Sequence, residues 1–421
     1  MDIHKKKKIS LVLSGGGIKA AAFHIGACLA LREKGFAFSG GSKDHVTTQV
    51  GHIGDQRSQV RQTNGQRPQA TTHAKSNKLA INLYVGSSAG AFVSAVLASG
   101  HSLEALINAF QVGVGSDPYY KVKAEDKLYP IGYRHLFNLN SKRLMSFLPQ
   151  TFLEKSLITG GLEALLKGGF KLNGFFNTNG IERYARKYIL PENEFSRLGA
   201  ELYIVSTQLN HSRKTIFGPY LETFKNSEVL HIGHAKISEA IAASVSLPPI
   251  FAPYPIVTPD GKEIYHYDGE IRDTLSTHVA VDHGSDMVIA SYSMQPYHYS
   301  KEMGSLHKYG IPAIINQALY QVLEQKVNRH IQWQEQKRDT YSTLKKICAE
   351  ENLGSAVTKK ILAKVEETMA FSPNVDYLYI SPLPEDYRMF FADHFSLNPK
   401  ILEKIVWCGF KAGISKLRRV V

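Results

Sequence analysis

The chain contains 421 residues, of which 43% are hydrophobic and 21% are charged, a balance that is ordinary for a globular protein with a sizeable core. The formal net charge of +13 predicts attraction to anionic surfaces, meaning acidic lipid or nucleic acid. The cysteines Cys28, Cys348 and Cys408 are odd in number and scattered, which argues against a disulfide framework or a metal site and favours a reducing compartment.

The sequence predicts neither a signal peptide nor a transmembrane helix. Lys5 to Lys8 resemble the basic start of a signal peptide, but the apolar run that follows is only 9–13. The longest apolar candidate, 240–257, contains several prolines, which would break a helix in lipid. We therefore expect a cytoplasmic protein that makes peripheral contact with membranes.

The first predicted unit is a strand, a glycine-rich turn and a helix within residues 9–38. The turn has the sequence SGGGIK and contains Gly15, Gly16 and Gly17. Three consecutive glycines allow backbone N–H groups to turn toward one point, as an oxyanion requires. The stretch 39–78 that follows is rich in polar residues and has almost no apolar periodicity, which predicts a disordered insertion.

The pentapeptide GSSAG at 86–90 is the most informative feature of the chain. An apolar stretch of strand length precedes it, and small apolar residues typical of a buried helix follow it. A serine on such a sharp strand-to-helix turn is typical of a nucleophile elbow. Gly86 and Gly90 would remove side chains where the strand and the helix pass closest, and the Ser88 hydroxyl would then point out of the sheet.

The central part of the chain alternates between helical and strand patterns. Helical signals run from 100 to 190, with Ser102 as an N-cap and an amphipathic stretch at 156–166. Buried-strand patterns follow at three places, 201–207, 263–267 and 286–292. Strands separated by helices predict an α/β fold with a largely parallel central sheet flanked by helices.

The last third of the chain, 300–421, predicts a mainly helical C-terminal extension. Apolar residues keep helical spacing from Ile311 to Leu323, and a hairpin-like helical pair follows over 342–371. The final helix begins with Asn398 as its N-cap, and its apolar face is typical of core packing.

Four stretches together resemble the patatin-like phospholipase family, a group of serine acyl hydrolases. They occur in the family's order: SGGGIK at 14–19, GSSAGA at 86–91, AASVSLPPIF at 242–251 and YDG at 267–269. The resemblance implies a patatin-like α/β hydrolase domain over 9–299, with the helical region 300–421 packed on it.

The resemblance also implies a catalytic Ser–Asp dyad. Ser88 would be the nucleophile and Asp268 its base, and the backbone N–H groups of the three glycines would form an oxyanion hole. The supporting residues would be Lys19, Gly86, Gly90 and Gly269.

Three departures from the family pattern mark a divergent branch. Glu270 stands where another small residue is usual, 273–276 reads DTLS where an Asn- and Pro-containing stretch is usual, and Ala20 replaces a common glycine. These departures leave the dyad in place and bear on pocket size and substrate class.

We therefore expect a lipid acyl hydrolase that cleaves carboxylic esters of phospholipids or lysophospholipids. An aspartate is a poor base in water, but desolvation would raise the pKa of Asp268 and make it serviceable. We expect no metal or organic cofactor, a lipid substrate, contact with an anionic membrane surface and no nucleic-acid partner.

Three alternatives stay open from the residues alone. An α/β-hydrolase with a Ser-His-Asp triad could use His278 or His283, which follow Asp268 in the chain. A phosphate-binding protein could use the loop at 15–19, although it lacks the P-loop and dinucleotide patterns. A basic lipid- or nucleic-acid-binding module without enzymatic activity would explain the charge but neither glycine-rich turn.

Overall fold

The computed structural model describes residues 3–49, 79–112, 127–139, 173–226 and 228–418. A largely parallel sheet of twelve strands forms the centre of this described part. Its strands are β1 (Ile9–Leu13), β2 (Ala37–Ser42), β3 (His45–Gln49), β4 (Ala80–Ser87), β7 (Glu201–Gln208), β8 (Lys214–Phe217), β9 (Phe224–Asn226), β10 (Val229–Ile232), β11 (Tyr254–Val257), β12 (Glu263–Asp268), β13 (Met287–Ser291) and β14 (Asp376–Ile380).

The short strands β5 (Asn138–Leu139) and β6 (Phe176–Asn177) form a separate antiparallel pair. The described α-helices are α1 (Gly17–Glu33), α2 (Ala89–Ala98), α3 (Leu103–Ala109), α4 (Tyr133–Leu136), α5 (Asn179–Tyr184), α6 (Ile237–Ser244), α7 (Thr277–Asp282), α8 (Gly310–Glu350), α9 (Ser355–Met369) and α10 (Pro399–Leu417).

The order of strands across the sheet is β14-β13-β1-β4-β7-β8-β10-β9. Neighbouring strands are parallel from β14 to β7, and the direction reverses at β8. The strand β12 pairs antiparallel with β7, along the same edge of β7 that β4 uses. The pairing with β4 covers the first part of β7, and the pairing with β12 begins at the next residue. The ends of β4 and β12 therefore meet on β7.

Helices bury both faces of the sheet, as the apolar sequences of its central strands require. On one face, Leu11 and Leu13 of β1 belong to the same apolar cluster as residues of α1, α2 and α10. On the other face, Val12 packs in a cluster with residues of α7 and α8. Parallel strands covered on both faces have continuous apolar runs rather than alternating ones. The predicted α/β fold with a largely parallel sheet is confirmed.

The C-terminal helix α10 packs closely along α1. A Cβ atom added to Gly26 of α1 would lie 1.9 Å from the carbonyl oxygen of Val406, and one added to Gly409 would lie 2.1 Å from that of Phe23. The predicted cap also forms, since Lys400 N–H donates to Asn398 Oδ1 over 3.0 Å. The apolar face of this last helix is thus part of the core.

The insertion predicted over 39–78 is wrong for its first part. The described residues 39–49 belong to β2 and β3, which form an antiparallel pair, and β2 joins the sheet beside β4. Backbone pairing orders these strands although their side chains carry little apolar pattern. Residues 50–78 lie outside the described part, as does the amphipathic stretch predicted at 156–166.

The C-terminal region contributes both a strand and helices. The strand β14 pairs in parallel with β13 and was missed by the sequence analysis. The helix α8 runs without a break through 41 residues. The domain division at residue 299 stays a prediction. Among the described helices, none combines the length and the apolar character needed to cross a membrane.

Candidate active site

The predicted elbow forms between β4 and α2, with Ser88 at its apex. The backbone of Ser88 has φ 52° and ψ −121°, which is strained for a residue with a side chain. A Cβ atom on Gly86 would lie 2.5 Å from Ala91 N, and one on Gly90 would lie 2.1 Å from Leu13 O. The two glycines therefore allow the close contacts among β4, α2 and β1 that hold the elbow.

A second serine fixes the backbone of the elbow. Ser88 N–H donates to Ser244 Oγ over 2.8 Å, and the Ser244 hydroxyl donates to Val205 O over 2.6 Å. Ser244 is the last residue of α6, so this helix and β7 together determine the position of Ser88. The Ser88 N–H is therefore engaged in a hydrogen bond within the protein.

The sheet register brings Asp268 to Ser88. On β7, Val205 pairs with Ser87 of β4, and the next residue, Ser206, pairs with Asp268 of β12. The Ser88 hydroxyl faces the Asp268 carboxyl group closely enough to lower the pKa of that group. Gly269 follows in close contact, since a Cβ atom there would lie 2.9 Å from Ser87 Oγ.

Burial sets the proton affinity of Asp268. Its side chain is 2% exposed. Loss of solvation raises its pKa to about 6, although the neighbouring Ser88 hydroxyl and the Glu270 N–H act in the opposite direction. The Glu270 N–H donates to Asp268 Oδ1 over 2.9 Å. Asp268 is thus ionised at neutral pH, yet a better base than an aspartate in water.

The glycine-rich turn lies beside this pair, at the N-terminus of α1. Gly16 has φ 130° and Gly17 has φ 71°, and both line the same cavity as Ser88. Their N–H groups stand before or within the first helical turn, which provides no intrahelical acceptor for them. The Gly15 N–H differs, because it donates to Glu270 Oε2 over 2.8 Å. The oxyanion role predicted for the Gly15 N–H therefore depends on whether Glu270 keeps this hydrogen bond.

Lys19 extends away from Ser88 and Asp268 into the C-terminal region. Its Nζ donates to the Tyr320 hydroxyl over 2.8 Å and to Met389 O over 3.2 Å. Burial lowers its pKa to about 7. Lys19 thus ties α1 to α8, which fits the supporting position that the resemblance implies for it.

The C-terminal region also clamps the glycine turn through His394. The Lys19 N–H donates to His394 O over 3.2 Å, and His394 Nδ1 lies 3.3 Å from Gly16 O. The Tyr320 hydroxyl lies 2.9 Å from His394 Nε2. Burial lowers the pKa of His394 to about 4, so the neutral ring donates to Gly16 and accepts from Tyr320.

A cavity of about 500 Å³ is lined by Ser88 and Asp268. Its walls are mostly aliphatic and aromatic, and they include Phe92, Phe110, Ile131, Phe137, Ile181, Leu247, Ile250, Phe251, Leu319 and Leu323. The polar groups that reach it include Ser88, Asp268, Glu270, Asn316, Tyr320, Lys326 and His394. A mostly apolar cavity of this size with a few convergent polar groups is typical of a small-molecule or lipid site.

The two histidines of the triad alternative lie elsewhere. His278 Nε2 is 3.0 Å from Lys214 Nζ, and the His283 ring packs 4.0 Å from the Tyr203 ring, measured between centroids. Neither residue lines the cavity. The histidine that does line it, His394, has both ring nitrogens engaged with Gly16 and Tyr320. No arrangement of these three residues supports a triad with Ser88.

Sequence reasoning missed three contributors to the site. Ser244 lies within the stretch 242–251, which resembles the family, so this resemblance was the available signal. Glu270 was noted only as a departure. His394 had no sequence signal because its contact with the turn joins residues far apart in the chain. Across the described ranges, no group of three or more histidine, cysteine or acidic side chains is placed to hold a metal ion.

Asp268→Asn is predicted to stabilise the fold above pH 6 and to have little effect near pH 4. Because the folded-state pKa is raised from 3.8 to about 6, ionisation of Asp268 costs stability as the pH rises through this window. Removal of the ionisable group should recover about 3 kcal/mol at pH 8, at about 1.4 kcal/mol per pKa unit. Thermal unfolding at both pH values would measure this, with the exposed Asp339→Asn as the control. An Asp268→Asn protein that is less stable at pH 8 would contradict the prediction.

The family model described as Patatin-like phospholipase matches residues 69–281, slightly more than half of the chain. The match includes the positions of Ser88 and Asp268 and leaves out the glycine-rich turn. No curated protein matches the chain.

Among solved structures, the complex of full-length SpcU with full-length ExoU from the type III secretion system of Pseudomonas aeruginosa is similar at 13% identity, with a TM-score of 0.22. The similarity covers 98% of this chain and 78% of that chain. On the family match, this chain belongs to the patatin-like phospholipase family.

Proposed function

We propose that this protein is a serine-dependent lipid acyl hydrolase with Ser88 as nucleophile and Asp268 as its base. Family membership indicates hydrolase activity on lipid esters. The observation that carries the finer assignment is the contact between the Ser88 hydroxyl and the buried Asp268 carboxyl group at the floor of an apolar cavity.

In the first step, Ser88 Oγ attacks the ester carbonyl carbon while Asp268 accepts the hydroxyl proton. A pKa of about 6 keeps Asp268 ionised near neutrality and brings its basicity closer to what general-base catalysis needs. The alcohol then leaves with the proton from Asp268, and the acyl group stays on Ser88. A water molecule, activated by the same carboxylate, hydrolyses this acyl-enzyme in the second step.

Charge on the tetrahedral intermediate requires donors that are already oriented. The N–H groups of Gly16 and Gly17 are the candidates, since both residues line the cavity beside Ser88. Each such donor is typically worth about 3–4 kcal/mol of transition-state stabilisation. The neutral Tyr320–His394 pair supports the turn by holding the Gly16 carbonyl group from behind.

The substrate class follows from the cavity walls. Aliphatic and aromatic side chains surround most of a volume of about 500 Å³, which suits an acyl chain. A bound chain would exclude water from Asp268 and so preserve its raised pKa. Phospholipids and lysophospholipids are the proposed substrates.

The substrate would arrive from an anionic membrane surface through one face of α8. Five exposed apolar residues lie at helical spacing near the start of this helix, and we name them the α8 apolar face: Ile311, Ile314, Ile315, Leu319 and Val322. Leu319 and Val322 also line the cavity, so the α8 apolar face is continuous with the cavity mouth. The net charge of +13 would favour acidic lipid at this surface.

Ser88→Ala and Asp268→Asn are each expected to abolish fatty-acid release from mixed phospholipid vesicles. Loss of the nucleophile or of its base should each reduce the rate by about 10³-fold or more. Exposed residues of the same types on α8 provide matched controls, Ser342→Ala and Asp339→Asn, and these should retain wild-type release. Release that survives Ser88→Ala in folded protein would refute the mechanism.

The double variant Ile311→Ser/Ile315→Ser is expected to bind anionic vesicles about tenfold less tightly, because two apolar side chains no longer enter the lipid. Release from vesicles should fall in parallel, while hydrolysis of a soluble short-chain ester stays unchanged. Ile347→Ser/Val357→Ser, which removes exposed apolar residues elsewhere, is the control. Equal vesicle binding by the two double variants would rule out the α8 apolar face as the docking surface.

A further inference from the structure

Glu270 is a buried acid that the Ser–Asp mechanism does not use. It follows Asp268 by two residues, lines the cavity and is 5% exposed. A glutamate in this setting is costly to ionise, because few groups are available to replace its lost hydration. The presence of a buried acid at this position in the cavity therefore needs a functional explanation.

The side chain of Glu270 meets the glycine turn and the nucleophile at one point. A Cβ atom built on Gly15 would lie 3.2 Å from Glu270 Cβ and 2.9 Å from Ser88 Cβ. One carboxyl oxygen, Oε2, accepts the Gly15 N–H over 2.8 Å. The other, Oε1, is buried and has no hydrogen-bond partner among the described residues.

The groups that face Glu270 favour its neutral form. Burial is the largest cause of its raised pKa of about 8, and the carboxylates of Asp268 and Asp273 act in the same direction. The Gly15 N–H and the Lys326 ammonium group act against it. Because the pKa of Asp268 is about 6, neutral pH leaves one carboxyl group ionised and the other protonated. Two neighbouring carboxyl groups with separated pKa values are typical of a base and an acid in one site.

We propose that Glu270 is a further catalytic residue, whose neutral carboxyl group donates a hydrogen bond from Oε1 to the oxyanion formed when Ser88 attacks the ester. This inference rests on the proposed function. Oε2 is the carbonyl oxygen of the protonated acid and continues to accept the hydrogen bond from the Gly15 N–H. The Gly15 N–H therefore acts on the oxyanion indirectly, by polarising the Glu270 carboxyl group. The proton remains on Glu270 throughout. The ester C=O electron pair moves onto oxygen during attack and returns when the alcohol leaves.

The alternative is that ionised Glu270 obstructs the site. A carboxylate would withhold the Gly15 N–H from the substrate and would repel the developing negative charge. Replacement of the side chain separates the two roles, because removal of a donor slows the reaction, whereas removal of an obstruction accelerates it.

The test compares wild type, Glu270→Gln and Glu270→Ala on a soluble chromogenic short-chain ester, from below pH 6 to above pH 8. We expect wild-type activity to decline as the pH rises through about 8, where Glu270 loses its proton. Glu270→Gln keeps an acceptor for Gly15 and gains an N–H donor, so it should retain activity within about tenfold and lose this alkaline decline. Glu270→Ala should lose about 10²- to 10³-fold at pH 7.

Control measurements keep this inference separable from the proposed function. The exposed Glu335→Gln should behave as wild type at every pH. Carbon-13 NMR of the side-chain carboxyl groups, assigned by comparison with Glu270→Gln, should show Glu270 titrating near pH 8. Equal or higher activity in folded Glu270→Ala, an alkaline decline that persists in Glu270→Gln, or an ionised Glu270 at pH 7 would each overturn the inference alone. Ester hydrolysis that does not depend on Ser88 would instead overturn the proposed function, and the inference with it.

Discussion

The geometry of the site depends on the position at which two strands, β4 and β12, end beside each other on β7. The strands β4 and β12 occupy the same edge of β7 from opposite directions, with Ser87 paired to Val205 and Asp268 paired to the adjacent Ser206. Backbone hydrogen bonds therefore fix the distance between the elbow and the acid before any side chain is placed. The strained conformation at Ser88 persists because its N–H is bonded to Ser244 and because the flanking glycines permit close packing.

Burial and local contacts give two neighbouring acids different proton affinities. Asp268 and Glu270 are both desolvated, but the contacts differ: the Ser88 hydroxyl and the Glu270 N–H favour ionisation of Asp268, whereas nearby carboxylates oppose ionisation of Glu270. The C-terminal region adds a further constraint, because the Tyr320–His394 pair holds the glycine turn and α8 forms part of the cavity wall. The residues that line the cavity thus come from both the N-terminal and the C-terminal parts of the chain.

Sequence reasoning reached the elements whose signals are local. Ser88 and Asp268 lie at strand ends with neighbouring glycines, and the helix caps at Ser102 and Asn398 form as predicted. The pair β2 and β3 was missed because backbone pairing, rather than apolar side chains, orders it. The contacts of Glu270 with Gly15 and of His394 with Gly16 join residues more than 250 positions apart, so no local pattern could indicate them.

The central claim is that Ser88 is a nucleophile activated by Asp268. The most direct measurement is covalent labelling by a fluorophosphonate ester, followed by mass spectrometry of the modified peptide, in wild type and Asp268→Asn. This measurement does not require the natural lipid to be known. The account predicts stoichiometric modification of Ser88 in wild type and at least about 10²-fold slower modification in Asp268→Asn. Modification elsewhere, or an equal rate at Ser88 in folded Asp268→Asn, would contradict it.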